Sequence, residues 1–253
     1  WDAGVNGLPT EVANWLQSDA YTGTVTIQTR FGSTGFTNFT ITGGCVISNG
    51  VWTHEDNSSS ETYRLSVSIG GDLAMGGSAR IDVNGRGFGG SQGPGAPTRG
   101  DADWVGGGHG GEGGDANGTA TIRPTYGSYL CPTNIGSGGD GTNGEASGAG
   151  AVRLVVADET MIPAGALITA AGAADRANGS GGSISLTTGT LAGGGDIRAN
   201  GGDDSRGDGG GGRVAVILTD PGADFSSFDG AGGTLEAIGP NGSGDRTAAA
   251  GTV

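Results

Sequence analysis

The feature of this sequence that most restricts its fold is a two-strand unit that recurs along the chain. Each copy opens with apolar residues that alternate with small or polar ones, as Leu65, Val67 and Ile69 do. An apolar-x-small-x-Gly segment, such as residues 81–85, follows after a turn. Alternation with a period of two places one set of side chains on one face of a strand. The unit therefore predicts short strands joined by glycine bends.

The repeated unit also predicts how the strands assemble. Further copies begin at 151, 183 and 213, so the period is about thirty residues. So small a unit buries its apolar face only against its neighbours, and strands stacked about 4.8 Å apart build a rod. We therefore expect an all-β fold, a parallel β-helix (β-solenoid). Residues 1–20 would be an N-terminal cap or leader, and residues 21–253 the solenoid domain.

Two stretches depart from this rhythm. From about residue 86 to residue 150 the chain is a long glycine-rich insertion. It is read either as extended glycine strands packed on the rod as polyglycine-type helices, or as a lateral flap that makes a binding surface. Near the start, Val12, Trp15 and Leu16 have helical spacing behind Thr10, which predicts a short amphipathic helix that caps the solenoid.

Composition limits the classes of fold and of partner. With 59 glycines and 34% hydrophobic residues in 253, the chain lacks the large side chains of a conventional globular core, while regular alternation opposes disorder. The net charge of −14, with arginine as the sole basic residue type, argues against nucleic-acid binding. No apolar run is long enough to span a bilayer, so we expect no membrane insertion.

The order of the glycine motifs carries a resemblance to a known class of proteins. The sequences GDLAMGGSARIDVNGRG (71–87), GGGDIRANGG (193–202) and GGGGRVAV (209–216) are similar to the glycine-rich parallel β-helix repeats of very large secreted or surface proteins of environmental bacteria. The resemblance implies a non-catalytic structural or adhesive segment, extracellular or at the cell surface, beside carbohydrate-binding modules. Because the chain begins with Trp rather than Met, we expect it to be a fragment of a longer precursor.

Exposed end rungs of such a rod carry unpaired backbone groups. They predict self-association, end to end or lateral, and no cofactor is required for that role.

Parallel β-helices also carry polysaccharide lyases and glycoside hydrolases, which is the alternative function. The Gly-His-Gly at His109 and the pair Asp203–Asp204 are similar to motifs of polygalacturonase-like hydrolases. Their order is reversed, however, and the chain has no lysine for the Arg-x-Lys that follows in those enzymes. We therefore expect no catalytic residue. His109 is predicted in a solvated loop or bonded to a neighbouring rung, and His54, beside Glu55, in a polar turn.

Aromatic residues next to irregular segments are candidates for glycan binding, because loops on rigid scaffolds carry function. They are Trp52, Trp104, Tyr126 and Tyr129. The same residues would alternatively cover a small core of the insertion.

Two acidic, glycine-flanked clusters offer oxygen ligands of the kind that Ca²⁺ takes. They are Asp140, Asn143 and Glu145, and Asp203, Asp204 and Asp208. Neither matches a calcium motif of fixed spacing, and Arg206 is the alternative partner of the second cluster.

Cys45 and Cys131 either form one disulfide from an early rung to the insertion or remain two thiols.

Overall fold

The computed structural model describes residues 8–32, 35–97, 104–115, 124–141, 145–204, 206–241 and 247–253. These residues form the expected parallel β-solenoid, whose rungs each contribute to two sheets. Within them no helix is long and apolar enough to cross a membrane.

The first sheet has six parallel strands, one from each rung. They are Glu11–Val12 (β1), Phe39–Ile41 (β6), Leu65–Ile69 (β8), Ala151–Val156 (β10), Ser183–Thr188 (β13) and Arg213–Leu218 (β16), stacked in that order.

The second sheet contains the other strands of the same rungs. They are Trp15–Gln17 (β2), Thr24–Thr26 (β3), Cys45–Thr53 (β7), Leu73–Asp82 (β9), Glu159–Met161 (β11), Leu167–Thr169 (β12), Thr190–Ala192 (β14), Asp196–Arg198 (β15) and Thr234–Glu236 (β17). In two rungs β7 and β9 run unbroken, whereas in other rungs a bend divides the same path into two strands.

Two further elements complete the described structure. Phe31–Gly32 (β4) and Gly35–Phe36 (β5) pair as an antiparallel hairpin, and Ser226–Asp229 forms a short helix (α1) that contacts β14.

The core consists of columns of side chains that stack in register along the rod. One column on the second sheet runs through Val25, Trp52, Ile81, Ile168, Ile197 and Leu235. One on the first sheet runs through Phe39, Val67, Leu154, Leu186 and Val216. Each buried aliphatic side chain contributes about 1.5–3 kcal/mol. The alternation read from the sequence is therefore confirmed as the inward face of each strand.

The N-terminal helix is not formed, so that prediction is wrong. Residues 11–12 and 15–17 are instead strands β1 and β2, which pair in parallel with β6 and β7. In a strand, successive side chains face opposite sides, so Trp15 packs on the core while Leu16 is 78% exposed. Trp15 stands edge-on to Phe39 and Trp52, with ring centroids 5.8 and 5.5 Å away. Pairing with the next rung has overridden the helical spacing.

Glycine-rich segments form a third side of the rod, which we call the glycine layer. Its described residues are 83–90, 105–115, 134–139, 145–150, 170–182, 199–204, 206–212, 237–241 and 247–251. Extended segments bond backbone to backbone on more than one side, as when Gly107 donates to Asn178 and accepts from Gly210 at 2.9 Å. Of the two readings of the insertion, packed glycine strands describe these residues. Residues 127–131, in contrast, are exposed.

The close approach of backbones explains why this layer is made of glycine. A Cβ atom on Gly181 would overlap the carbonyl oxygen of Ala199, and one on Gly209 would overlap that of Gly179. Neither neighbour is the movable end of a side chain, so no rotamer change relieves the overlap. Hydrogen bonds between adjacent backbones, rather than large apolar side chains, therefore hold this side of the solenoid together.

Candidate functional sites

His54 lies in the interior, not in a polar turn as the sequence suggested. Its exposed fraction is 0%. Nε2 accepts a hydrogen bond from the Ala151 N–H at 3.2 Å, and Nδ1–H donates to the Glu55 carbonyl at 2.7 Å. Burial, with a smaller contribution from the positive charge of Arg86, lowers the pKa of His54 to about 4, although Asp56 and Glu55 act in the opposite direction. His54 is therefore neutral and structural.

His109 is likewise enclosed, within the glycine layer. Its exposed fraction is 0%, and Nδ1–H donates to the carbonyl of Gly181 at 3.0 Å. The ring contacts Tyr126, with centroids 4.6 Å apart. Burial, together with the charge of Arg213, lowers the pKa of His109 to about 4. The hydrogen bond to a neighbouring rung is thus confirmed, and the solvated loop is wrong.

The residues that resemble hydrolase motifs differ in their surroundings. Asp203 and Asp204 are exposed, whereas His109 is fully buried in the glycine layer. A proton-transfer group must reach its substrate, and the buried His109 does not meet that condition.

The four aromatic candidates do not share one surface. Trp52 is 0% exposed, and its indole N–H donates to Gln17 at 2.9 Å, so its assignment to glycan binding is wrong. Trp104 is half-buried beneath the guanidinium of Arg206, 3.5 Å from the ring centroid. Tyr126 donates its hydroxyl to Ile135. Tyr129 alone of the four is largely solvent-exposed, at 65%.

The first acidic set lies in the insertion. Asp140 is buried and accepts a hydrogen bond from Ser91 at 2.8 Å, while Glu145 is exposed. Asn143 lies outside the described residues. The Asp140 carboxylate is therefore buried and hydrogen-bonded within the protein, whereas the Glu145 side chain is exposed to solvent.

The second acidic set is also divided by burial. Asp208 is 0% exposed, whereas Asp203 and Asp204 are exposed. The difference arises because the chain becomes buried in the glycine layer again only from about Gly207. Arg206, the alternative partner of this set, stacks on the ring of Trp104. In the described part of the chain, no group of three or more His, Cys, Asp or Glu side chains could hold a metal ion.

The two cysteines do not form the disulfide. Cys45 points into the core at the start of β7 and is 1% exposed, and burial raises its thiol pKa. Cys131 lies on an exposed turn of the insertion. The Cys45 sulfur lies in the core and the Cys131 sulfur at an exposed turn, so the two are not bonded and the two-thiol reading is correct.

Arginine residues that the sequence reasoning missed line the outer face of the first sheet. Arg64, Arg153 and Arg213 stand at or near the start of three strands of that sheet, and Glu61 lies beside Arg64. The signal was present in the sequence as YRLSV, VRLVV and GRVAV, where arginine precedes the apolar alternation. It was hidden because the sequence does not reveal that the insertion folds back onto Ser183 and Arg213 of this face.

No protein-family model matches the chain, and neither curated proteins nor solved structures show a significant match to it. The fold and the contacts between its residues are therefore the basis for functional inference.

Proposed function

We propose that this chain is a non-catalytic structural and adhesive segment of an extracellular or cell-surface protein. The observation that carries the proposal is the unbroken register of the core columns, with Ile81, Ile168 and Ile197 paired from rung to rung. Parallel stacking of this kind makes each rung depend on its neighbours and resists bending of the whole. A stiff spacer needs that property and no cofactor.

The glycine layer supports the same role. Its segments bond to neighbours on several sides, so shear between rungs would break backbone hydrogen bonds in addition to the ladders of the two sheets. An edge ladder opens one bond at a time, whereas a cross-bonded layer opens several bonds together. We expect the segment to unfold cooperatively under force.

Self-association is the second element of the proposal. Strand β17 ends the second sheet, where it pairs with β15. The Thr234 N–H donates to the Gly195 carbonyl, and the Glu236 carbonyl accepts from the Ala199 N–H. Leu235 lies between these two residues, so its own N–H and C=O point away from β15, toward the open edge of the sheet. Such an edge is a template for another strand, and a second copy that presents β1–β3 would extend the rod.

Analytical ultracentrifugation over a range of concentrations tests this association. Leu235→Pro removes the outward N–H, and Leu235→Ala is the matched control, because it loses the same side chain but keeps the donor. We expect wild type and Leu235→Ala to form elongated oligomers, and Leu235→Pro to be shifted toward monomer. A wild-type protein that stays monomeric at every concentration would contradict self-association, whereas the stiff-spacer role would stand.

Adhesion to glycans is the third element, and the exposure of Tyr129 favours it. Tyr129 and its neighbour Leu130 are 65% and 63% exposed, on a segment fixed to a rigid scaffold. An aromatic ring held in this way offers a flat apolar surface to a sugar ring. A panel of neutral and acidic oligosaccharides, assayed for both binding and new reducing ends, separates adhesion from turnover. Cleavage of any member would overturn the non-catalytic assignment.

A further inference from the structure

A cleft of about 510 Å³ lies at the N-terminal end of the rod. Three segments line it: residues 8–10 ahead of β1, residues 24–30 from β3 onward, and residues 37–39 at the start of β6. Sites for small ligands usually have volumes of about 300–1,000 Å³. The cleft is therefore large enough for a small organic molecule.

Strand β3 has an open edge at this cleft, and its other edge pairs with β7. On the β7 side, the Val51 N–H donates to the Gly23 carbonyl at 3.0 Å. The Ile27 N–H donates on the same side, to the Thr53 carbonyl at 2.8 Å. Successive residues of a parallel strand bond to opposite sides, so the N–H and C=O of Thr26 point away from β7. Thr26 lines the cleft, and it offers there a backbone donor and a backbone acceptor.

Hydroxyl groups make up much of the lining, because five of its twelve residues are threonines. Two of the five hydroxyls hold the wall in place. The Thr29 hydroxyl accepts from the Ser66 N–H at 3.0 Å, and the Thr37 hydroxyl accepts from the backbone N–H of Arg30 at 2.8 Å. The other three have no hydrogen-bond partner in the part of the chain that the structure describes. They belong to Thr10, Thr24 and Thr26.

The lining carries little charge. Among the described residues that line the cleft, Arg30 is the one with a charged side chain, and its guanidinium lies over the Tyr63 ring, 4.9 Å from the centroid. The Glu55 carboxylate accepts from the Gln28 amide at 2.9 Å and does not itself line the cleft. The cleft thus presents neutral donors and acceptors rather than an ion-pair partner.

We propose that the cleft binds a short neutral saccharide. The sugar hydroxyls pair with the N–H and C=O of Thr26 and with the hydroxyls of Thr10 and Thr24, while the half-buried Leu8 and Pro9 offer an apolar surface to the C–H groups of the ring. This inference rests on the adhesive role proposed above, and it adds a site separate from Tyr129.

The same lining disfavours other classes of small ligand. A sugar hydroxyl both donates and accepts, as the threonine hydroxyls and the open backbone of β3 require. An apolar ligand would bury the backbone groups of Thr26 without partners, which is costly. An anion would meet a chain of net charge −14, and a cation would find no carboxylate in the lining.

Amide NMR spectra of the whole chain, titrated with glucose, maltose, cellobiose, lactose and the acidic disaccharide digalacturonate, test the site. Thr26→Val removes the hydroxyl and keeps the branched shape and the backbone groups. Thr187→Val is the matched control, because Thr187 is also a half-buried strand threonine and does not line the cleft. We expect a neutral sugar to shift the signals of the cleft residues. Thr26→Val should weaken this binding by about three- to tenfold, with Thr187→Val and Tyr129→Ala unchanged.

The failures are distinguishable. Equal weakening by Thr26→Val and Thr187→Val, or tighter binding of digalacturonate than of any neutral sugar, would overturn the inference. Cleft signals that move with protein concentration but with no sugar would assign the open edge of β3 to a second copy of the chain, which also overturns it. Sugar binding that depends on Tyr129 and leaves the cleft signals unmoved would overturn this site while the adhesive role stands. If no sugar binds anywhere, both fall.

Discussion

The imidazole Nε2 of His54 accepts a hydrogen bond at 3.2 Å from the backbone N–H of Ala151, 97 residues further along the chain. His54 follows β7 and Ala151 begins β10, two rungs later, so the bond spans the rung from which the insertion departs. The N–H at the start of the returning strand is thereby satisfied by a side chain. An imidazole accepts through Nε2 only while it is neutral, which makes this junction sensitive to acid.

The first prediction concerns stability against pH. His54 and His109 each have a folded-state pKa of about 4, below the ordinary value of 6.5. The unfolded chain therefore binds more protons than the folded one between these values. Stability is complete above about pH 6.5, is lost as pH falls toward 4, and changes no further through these groups below that. Each histidine accounts for about 3 kcal/mol of this loss.

Denaturant unfolding at a series of pH values between 4 and 7 measures the effect. His54→Gln keeps an acceptor near the Nε2 position but does not titrate, so its stability should fall less steeply with acid than that of wild type. Carboxylates contribute equally to both proteins and cancel in the comparison. Identical slopes would show that His54 is not the buried neutral group described here.

The second prediction concerns the glycine layer. Gly209→Ala places a Cβ against the carbonyl of Gly179, and we expect a loss of at least about 1–3 kcal/mol in the free energy of unfolding. Gly44→Ala is the control, because the nearest atom to its Cβ is 3.9 Å away, and it should change stability by less than about 1 kcal/mol. Thermal and urea unfolding measure both. Equal stability of the two variants would mean that the layer is not closely packed.

A third prediction concerns thiol reactivity. In the native protein Ellman's reagent should titrate one thiol per chain quickly, at the exposed Cys131, and the second only after unfolding, since Cys45 is buried and burial raises its pKa. Cys131→Ser should abolish the fast reaction and leave one thiol that reacts only after unfolding. Rapid reaction of both thiols in wild type would place Cys45 outside the core.

A fourth prediction concerns the aromatic residues that fill the N-terminal part of the interior. Trp52 is fully buried, contacts Trp15 edge-on and donates a hydrogen bond to Gln17. Trp52→Ala should cost about 3–5 kcal/mol through the lost transfer energy and the cavity. Tyr129→Ala, which removes an exposed ring, should leave the free energy of unfolding nearly unchanged. Comparable losses for the two variants would contradict the burial of Trp52.

The sequence by itself determined the class of fold and the direction of most side chains. Alternation with a period of two suffices to place Leu65, Val67 and Ile69 on one face, because strand geometry leaves no other choice. Repetition suffices to predict stacking, because so small a unit has no other apolar surface against which to bury its own.

Only the tertiary structure decided those features that depend on contacts between residues far apart in the sequence. Trp15 and Leu16 follow a helical spacing, yet pairing with β7 makes them strand residues on opposite faces. His54 reads as part of a polar turn until Ala151, 97 residues away, supplies its donor. These outcomes depend on which segments meet in space, and local propensity does not encode that.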